Sequence, residues 1–148
     1  MRADELIKRM IWQENELYNL YKLGETFALF ERKEIKDNFA QLAEEELRHR
    51  KTLEDLLVEG SLHGMILDYM KELEVEPLLY DERAKPDTLE DLIIEALIRE
   101  KHAYELYIKL SSLLKGSISQ IFRMMAGEEL KHSYQLKLLY EKLEDVDG

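Results

Sequence analysis

The 148-residue chain contains no cysteine. That excludes a disulfide framework, a thiolate metal site and a thiol nucleophile. It has only 2 prolines and 6 glycines, and few β-branched runs. Leu, Glu and Lys abound instead, so the chain is expected to be all-helical. No apolar run reaches 18 residues, and the N-terminal MRADELIKRMIWQENEL lacks the apolar stretch of a signal peptide. No membrane partner is therefore expected, and a cytoplasmic protein is. Positive charge is scarce as well: the net charge of −11 argues against nucleic acid or an anionic membrane surface as partner. What is present is 45% hydrophobic residues, enough at this length for one domain with a real core.

Four long helices are expected, at about 3–30, 33–58, 87–114 and 117–143. They form two helical pairs, 3–58 and 87–143, joined by a long crossover at 59–86 within a single domain spanning 1–148. The crossover holds both prolines, Pro77 and Pro86, and a short helix is expected from Met65 to Leu73. Asp87 reads as the N-cap of the third helix, with Glu90 three residues on. Gly116 ends that helix, and Ser117 with Gln120 reads as the same capping device for the fourth.

The two pairs repeat each other. GluAsnGluLeuTyrAsnLeuTyr (14–21) aligns without gaps to GluLysHisAlaTyrGluLeuTyr (100–107). PheAlaGlnLeuAlaGluGluGluLeuArgHis (39–49) aligns likewise to PheArgMetMetAlaGlyGluGluLeuLysHis (122–132). Two similar helical pairs suggest a four-helix bundle with approximate internal two-fold symmetry.

Core stripes of a bundle helix advance by three and four residues in turn. The second helix gives Ile35, Phe39, Leu42, Glu46, His49, Leu53, Leu56 and Gly60; the fourth gives Ile118, Phe122, Met125, Glu129, His132, Leu136, Leu139 and Leu143. The first runs Ile7, Met10, Glu14, Leu17, Tyr21, Gly24, Ala28, and the third Ile93, Ala96, Glu100, Ala103, Tyr107, Leu110, Leu114. Each stripe is interrupted at its middle, and the interruptions are Glu14, Glu46, His49, Glu100, Glu129 and His132. One Glu-x-x-His means little; two copies on core stripes, with one core-facing Glu on each remaining helix, mean more.

Charge gives the reason. Four unpaired carboxylates inside a bundle would each cost several kcal/mol, against a total stability of about 5–15 kcal/mol. Two divalent cations cancel their four negative charges, and two neutral imidazoles complete the shells. The i,i+3 spacing lets Glu and His of one helix reach the same dinuclear centre. Carboxylate-rich ligation with one imidazole per metal suits iron or manganese, with zinc possible. His63 in the crossover, His102 off the stripe, and Glu16, also off the stripe, are not read as ligands.

At these residues the sequence resembles the ferritin-like di-iron carboxylate superfamily, in particular its rubrerythrin-like branch. The resemblance implies a ferritin-like four-helix bundle in which Glu46 and Glu129 bridge two metals. It makes Glu14 and Glu100 terminal carboxylates and gives His49 and His132 one metal each. Glu45 and Glu128 resemble the carboxylates that orient ligand histidines in such sites, and Tyr21 and Tyr107 match tyrosines beside the site. Three features depart from the branch. A rubredoxin domain needs four cysteines, and there are none. The extra carboxylate that rubrerythrins carry one turn after the third-helix ligand is Ala103 here. Leu47 and Leu130 stand where a haem-binding Glu-Met-x-His motif has Met, so no haem is expected.

The function expected from this resemblance is a di-iron oxidoreductase acting on peroxide or oxygen. Lacking its own rubredoxin centre, it would draw electrons from an external donor such as rubredoxin or a flavoprotein. The alternatives are a ferroxidase or iron-handling protein using the same six residues, and a non-enzymatic bundle holding zinc. A homo-oligomer, with a dimer favoured, is expected.

Overall fold

The computed structural model describes residues 3–59 and 85–145. Within them the chain forms four helices and no strand: α1 (Ala3–Glu31), α2 (Lys36–Glu59), α3 (Leu89–Leu113) and α4 (Gly116–Glu144). A single 3-10 turn, Lys33–Ile35, links α1 to α2. It is closed at either side by Arg32 N–H donating to Ala28 O and Ile35 N–H donating to Arg32 O. The expected crossover, its short helix at Met65–Leu73, His63 and the stripe residue Gly60 lie outside the described residues.

Two helix starts differ from the sequence expectation. The N-cap of α3 is Thr88, not Asp87: Thr88 is extended and its side chain accepts from Asp91 N–H at 3.0 Å. Both Asp87-x-x-Glu90 and Thr88-x-x-Asp91 fit the capping pattern, and the chain uses the second. Nor does Ser117 cap α4. The cap position is Lys115, without a side-chain hydrogen bond, and Gly116 takes φ +72° to turn the chain, a left-handed geometry that glycine adopts at least cost. Ser119 Oγ instead donates to Ser111 O and ties the start of α4 to the end of α3.

The stripes turn inward nearly as their spacing requires, with Ala103, Ile118 and Leu143 only partly buried. They build two apolar clusters. One joins the start of α1 and end of α2 (Ile7, Met10, Leu53) to the end of α3 and start of α4 (Leu110, Phe122, Met125). The other joins the opposite ends, with Leu17, Phe39, Leu42, Leu92, Ile93 and Leu136. Neighbours within each hairpin are therefore antiparallel, whereas α2 and α3 run parallel. Gly24 lets α1 pass close to Phe39 and Leu92, which occupy the space a side chain would need. Backbones approach most closely within each hairpin and next between α1 and α3; α2 and α4 meet through long side chains.

Candidate metal centre

Between the two apolar clusters lies a single polar layer. On α1 it falls between Met10 and Leu17, on α2 between Ala43 and Leu53, on α3 between Ala96 and Leu106, on α4 between Ala126 and Leu136. All six stripe interruptions occupy it, and Glu14, Glu46, His49, Glu100, Glu129 and His132 are all buried. The i,i+3 spacing on α2 and α4 places each Glu and its His on one helix face, as the sequence pattern required.

The six residues form two overlapping groups. Glu14, Glu46, His49 and Glu129 each offer a ligand atom within 4.8 Å of one another, and so do Glu46, Glu100, Glu129 and His132. Glu46 and Glu129 belong to both. His49 Nδ1 lies 2.5 Å from Glu129 Oε1, 3.5 Å from Glu46 Oε2 and 3.7 Å from Glu14 Oε2. His132 Nδ1 lies 3.0 Å from Glu46 Oε1 and 3.4 Å from Glu100 Oε1. The imidazole rings stack at 5.9 Å.

The outer atoms of these residues are tied across the hairpins. His49 Nε2 on α2 pairs with Glu128 on α4, and His132 Nε2 on α4 pairs with Glu45 on α2. Tyr107 of α3 donates to Glu14 of α1, and Tyr21 of α1 donates to Glu100 of α3. The bonds fix both rings with Nδ1 turned inward. Inside, partners run out. Glu14 Oε2, Glu46 Oε2, Glu100 Oε2, both oxygens of Glu129 and His49 Nδ1 are buried without a hydrogen-bond partner. Buried polar atoms in folded proteins are nearly always paired, so orphaned atoms converging on one space fit ligands of a cation. Carboxylate and imidazole together are donors for a divalent transition metal.

Electrostatics of the metal-free layer agree. Burial and then the charges of Glu100 and Glu14 push the Glu46 carboxyl well above the ordinary range. Glu14 is held below it: burial raises it, but the neighbouring Glu46 carboxyl, the His49 imidazole and the Tyr107 hydroxyl outweigh that. Burial lowers the His49 imidazole, yet Glu14 and Glu128 outweigh it and lift the pKa to about 9. His132 is raised in the same way by Glu100 and Glu45. Without a metal, protons do part of the work of neutralising the carboxylates.

Every candidate residue named from the sequence lies in or against this layer. Glu16 does not; it lies 4.0 Å from Arg99 Nη1. His102 is partly buried on α3, outside both ligand groups. The stripes pass over Arg99, which is buried and donates to Glu95 at 3.1 Å; the i,i+4 Glu95–Arg99 spacing was its only sequence signal. Among the described residues, no helix is long and apolar enough to cross a membrane. Comparison of the chain with protein-family models, with curated proteins and with solved structures finds no match.

Proposed function

We propose that the chain is a ferritin-like protein of the rubrerythrin type, and that the layer holds two iron ions for the reduction of peroxide or oxygen. The observation that carries this reading is the sharing of Glu46 and Glu129 by two ligand groups of otherwise separate residues. Two carboxylates common to two groups could each serve two cations, as a two-metal centre would require. Glu14 with His49, and Glu100 with His132, would hold one cation each. Iron held there would supply the redox chemistry; manganese would give the same ligand count, and zinc would hold the structure without it.

The chain's own part is geometry and exclusion of water. Tyr107 and Tyr21 hold one oxygen of each terminal carboxylate, leaving the other free for the metal. Glu128 and Glu45 keep each Nε2 occupied and so direct Nδ1 inward. The apolar clusters on either side keep the layer dry. Reduction of one hydrogen peroxide to two waters consumes two electrons and two protons. These 148 residues hold no cysteine for a rubredoxin centre, so in this reading a rubredoxin or flavin centre outside them would supply the electrons.

The test is peroxide consumption by iron-loaded protein with a reducing partner, set beside Glu46→Ala. Turnover that needs the donor and is lost in the variant is the expected result. Equal rates in both proteins, or stoichiometric zinc without iron or manganese in protein from its native host, would overturn the reading.

A further inference from the structure

Exposed apolar side chains occur on both hairpins, among them Trp12, Leu29, Phe30 and Val58 on the first and Leu130 and Tyr134 on the second. Exposure alone therefore selects no face; position does. Leu29 and Phe30 stand near the end of α1 and Val58 near the end of α2, away from the polar layer. Leu130 stands beside it, next in sequence to Glu129, and lines a groove of about 430 Å³ between α3 and α4. Other lining residues flank the layer too. Lys101 follows Glu100, Ser133 follows His132, and Ser133 Oγ donates to Glu129 O at 3.1 Å.

The internal repeat has the same place closed on the other hairpin. Its alignments pair Lys101 with Asn15 and, one residue beyond the ligand histidines, Ser133 with Arg50. Arg50 reaches from α2 to α1 and donates to Asn15 Oδ1 at 2.7 Å, with Glu54 3.2 Å away. Serine is too short to cross in this way, and on the second hairpin Leu97, Tyr104 and Leu130 line the gap instead. Charge differs in the same sense. Lys22 is engaged by Glu25 at 2.9 Å and Lys51 by Asp55 at 3.6 Å. Lys101 and Lys137 line the groove and form no ion pair among the described residues.

We propose that this groove docks the electron donor, a carrier that presents carboxylates around a small apolar centre. This rests on the iron reading of the layer and adds where its electrons enter. Charge is one ground for that occupant. At a net charge of −11 the chain repels an acidic carrier over most of its surface; two lysines against Glu105 make the groove a local exception that steers approach. The seam between α2 and α4 is edged by the carboxylates of Glu45 and Glu128, the wrong sign for such a partner, and Arg50 crosses between α1 and α2. Area is the second ground. Leu130, Tyr134 and Leu138 present roughly 400 Å² at their exposures. A stable interface takes about 800 Å² from each partner, and brief redox encounters take less. From the groove only the thickness of one helix, about 10 Å, separates a carrier from Glu129. A one-electron carrier is oxidised as the metal pair gains one electron, so two dock in turn for each peroxide; a two-electron flavin docks once. No bond forms between carrier and chain.

Stopped-flow mixing of the oxidised, iron-loaded chain with a reduced rubredoxin, and separately with a reduced flavodoxin, measures the second-order rate of delivery. Ser133→Arg/Lys101→Asn rebuilds the first hairpin's clasp across the groove and should slow delivery at least tenfold. Lys101→Glu/Lys137→Glu leaves the groove open and should slow it as much, with added salt narrowing the gap to wild type. Both variants should keep two irons per chain and peroxide turnover driven by dithionite, a small reductant that needs no docking. Wild-type delivery in either variant that keeps its iron, or no delivery from either carrier to the wild type, would overturn the docking site and leave the iron reading standing. So would loss of delivery through Trp12→Lys instead, or light scattering that shows a wild-type dimer split by these variants, which gives the groove to a second copy. Absence of peroxide turnover even with dithionite would overturn the iron reading, and the docking site with it.

Discussion

Raising the pH from 7 to 9 should tighten metal binding steeply, because protons and metal compete for the same atoms. In the metal-free protein His49 has a pKa of about 9, so at pH 7 only about one molecule in a hundred has the imidazole unprotonated. A metal needs that nitrogen free. Apparent affinity at the His49 group is then about a hundredfold below its limiting value at pH 7, and climbs about tenfold per unit until pH 9. His132 and Glu46 are shifted upward too, so each has a proton to give up as well. More than one proton should leave each chain on loading at pH 7. Calorimetric titration with Mn(II) in buffers of different ionisation enthalpy counts these protons, and chelator competition follows the affinity. Release of less than one proton per chain, or an affinity flat between pH 7 and 9, would refute the reasoning. The same shift makes the metal-free fold pH-dependent. His49 is raised above its unfolded value of 6.5, so its stabilisation is fully present below about pH 6.5 and lost as pH rises through 9. The integrated loss is about 3 kcal/mol, read as a lower denaturation midpoint in alkaline buffer that metal loading abolishes.

Three further outcomes follow from the packing. In Gly24→Ala the new methyl would stand 2.7 Å from Phe39 Cδ1 and 3.1 Å from Leu92 Cδ2; the overpacking outweighs the gain in helix propensity, and stability should fall by about 1–2 kcal/mol in chemical denaturation. Gly127→Ala meets nothing within 4 Å and should gain up to about 1 kcal/mol instead. Tyr107→Phe and Tyr21→Phe each remove the donor to a terminal carboxylate; each should lower metal-loaded stability by about 1.5–3 kcal/mol, and unequal effects would contradict the two-fold arrangement. Glu128→Gln should weaken one of the two metal-binding steps about 10- to 100-fold while sparing the other, seen as a split in a chelator titration.

Much of the layer was legible in the chain because its signal is local. Glu46 and His49, or Glu129 and His132, lie on one face of one helix, and periodicity alone puts them among core residues. Tyr21 and Tyr107 were legible as neighbours of the layer, but not as donors to the opposite hairpin: that crossing depends on how α1 meets α3, 79 and 93 residues apart in sequence. The same holds for Glu45 with His132 and Glu128 with His49, where each acid serves the histidine of the other helix. Thr88 and Asp87 illustrate a different limit. Both side chains suit a cap, both have an acid three residues on, and only the backbone angles decide between them. Arg99 was missed because a periodicity reading seeks apolar residues, and a buried charge held by Glu95 on its own helix and near Glu16 on α1 is not one of them.

The crossed pairs have a mechanical consequence. Neither hairpin owns a complete ligand group: the first lacks Glu129, and the second lacks Glu46. The backbones of α2 and α4 keep apart, and between the apolar clusters at either end what joins them is the layer, Glu46 and His49 facing Glu129 and His132, with Glu45 and Glu128 at the edges. Withdrawing metal therefore strikes the seam between hairpins rather than the helices. A chelated protein should keep its helical signal while amide exchange quickens along the facing sides of α2 and α4, as a book loosens at its clasp with every page intact.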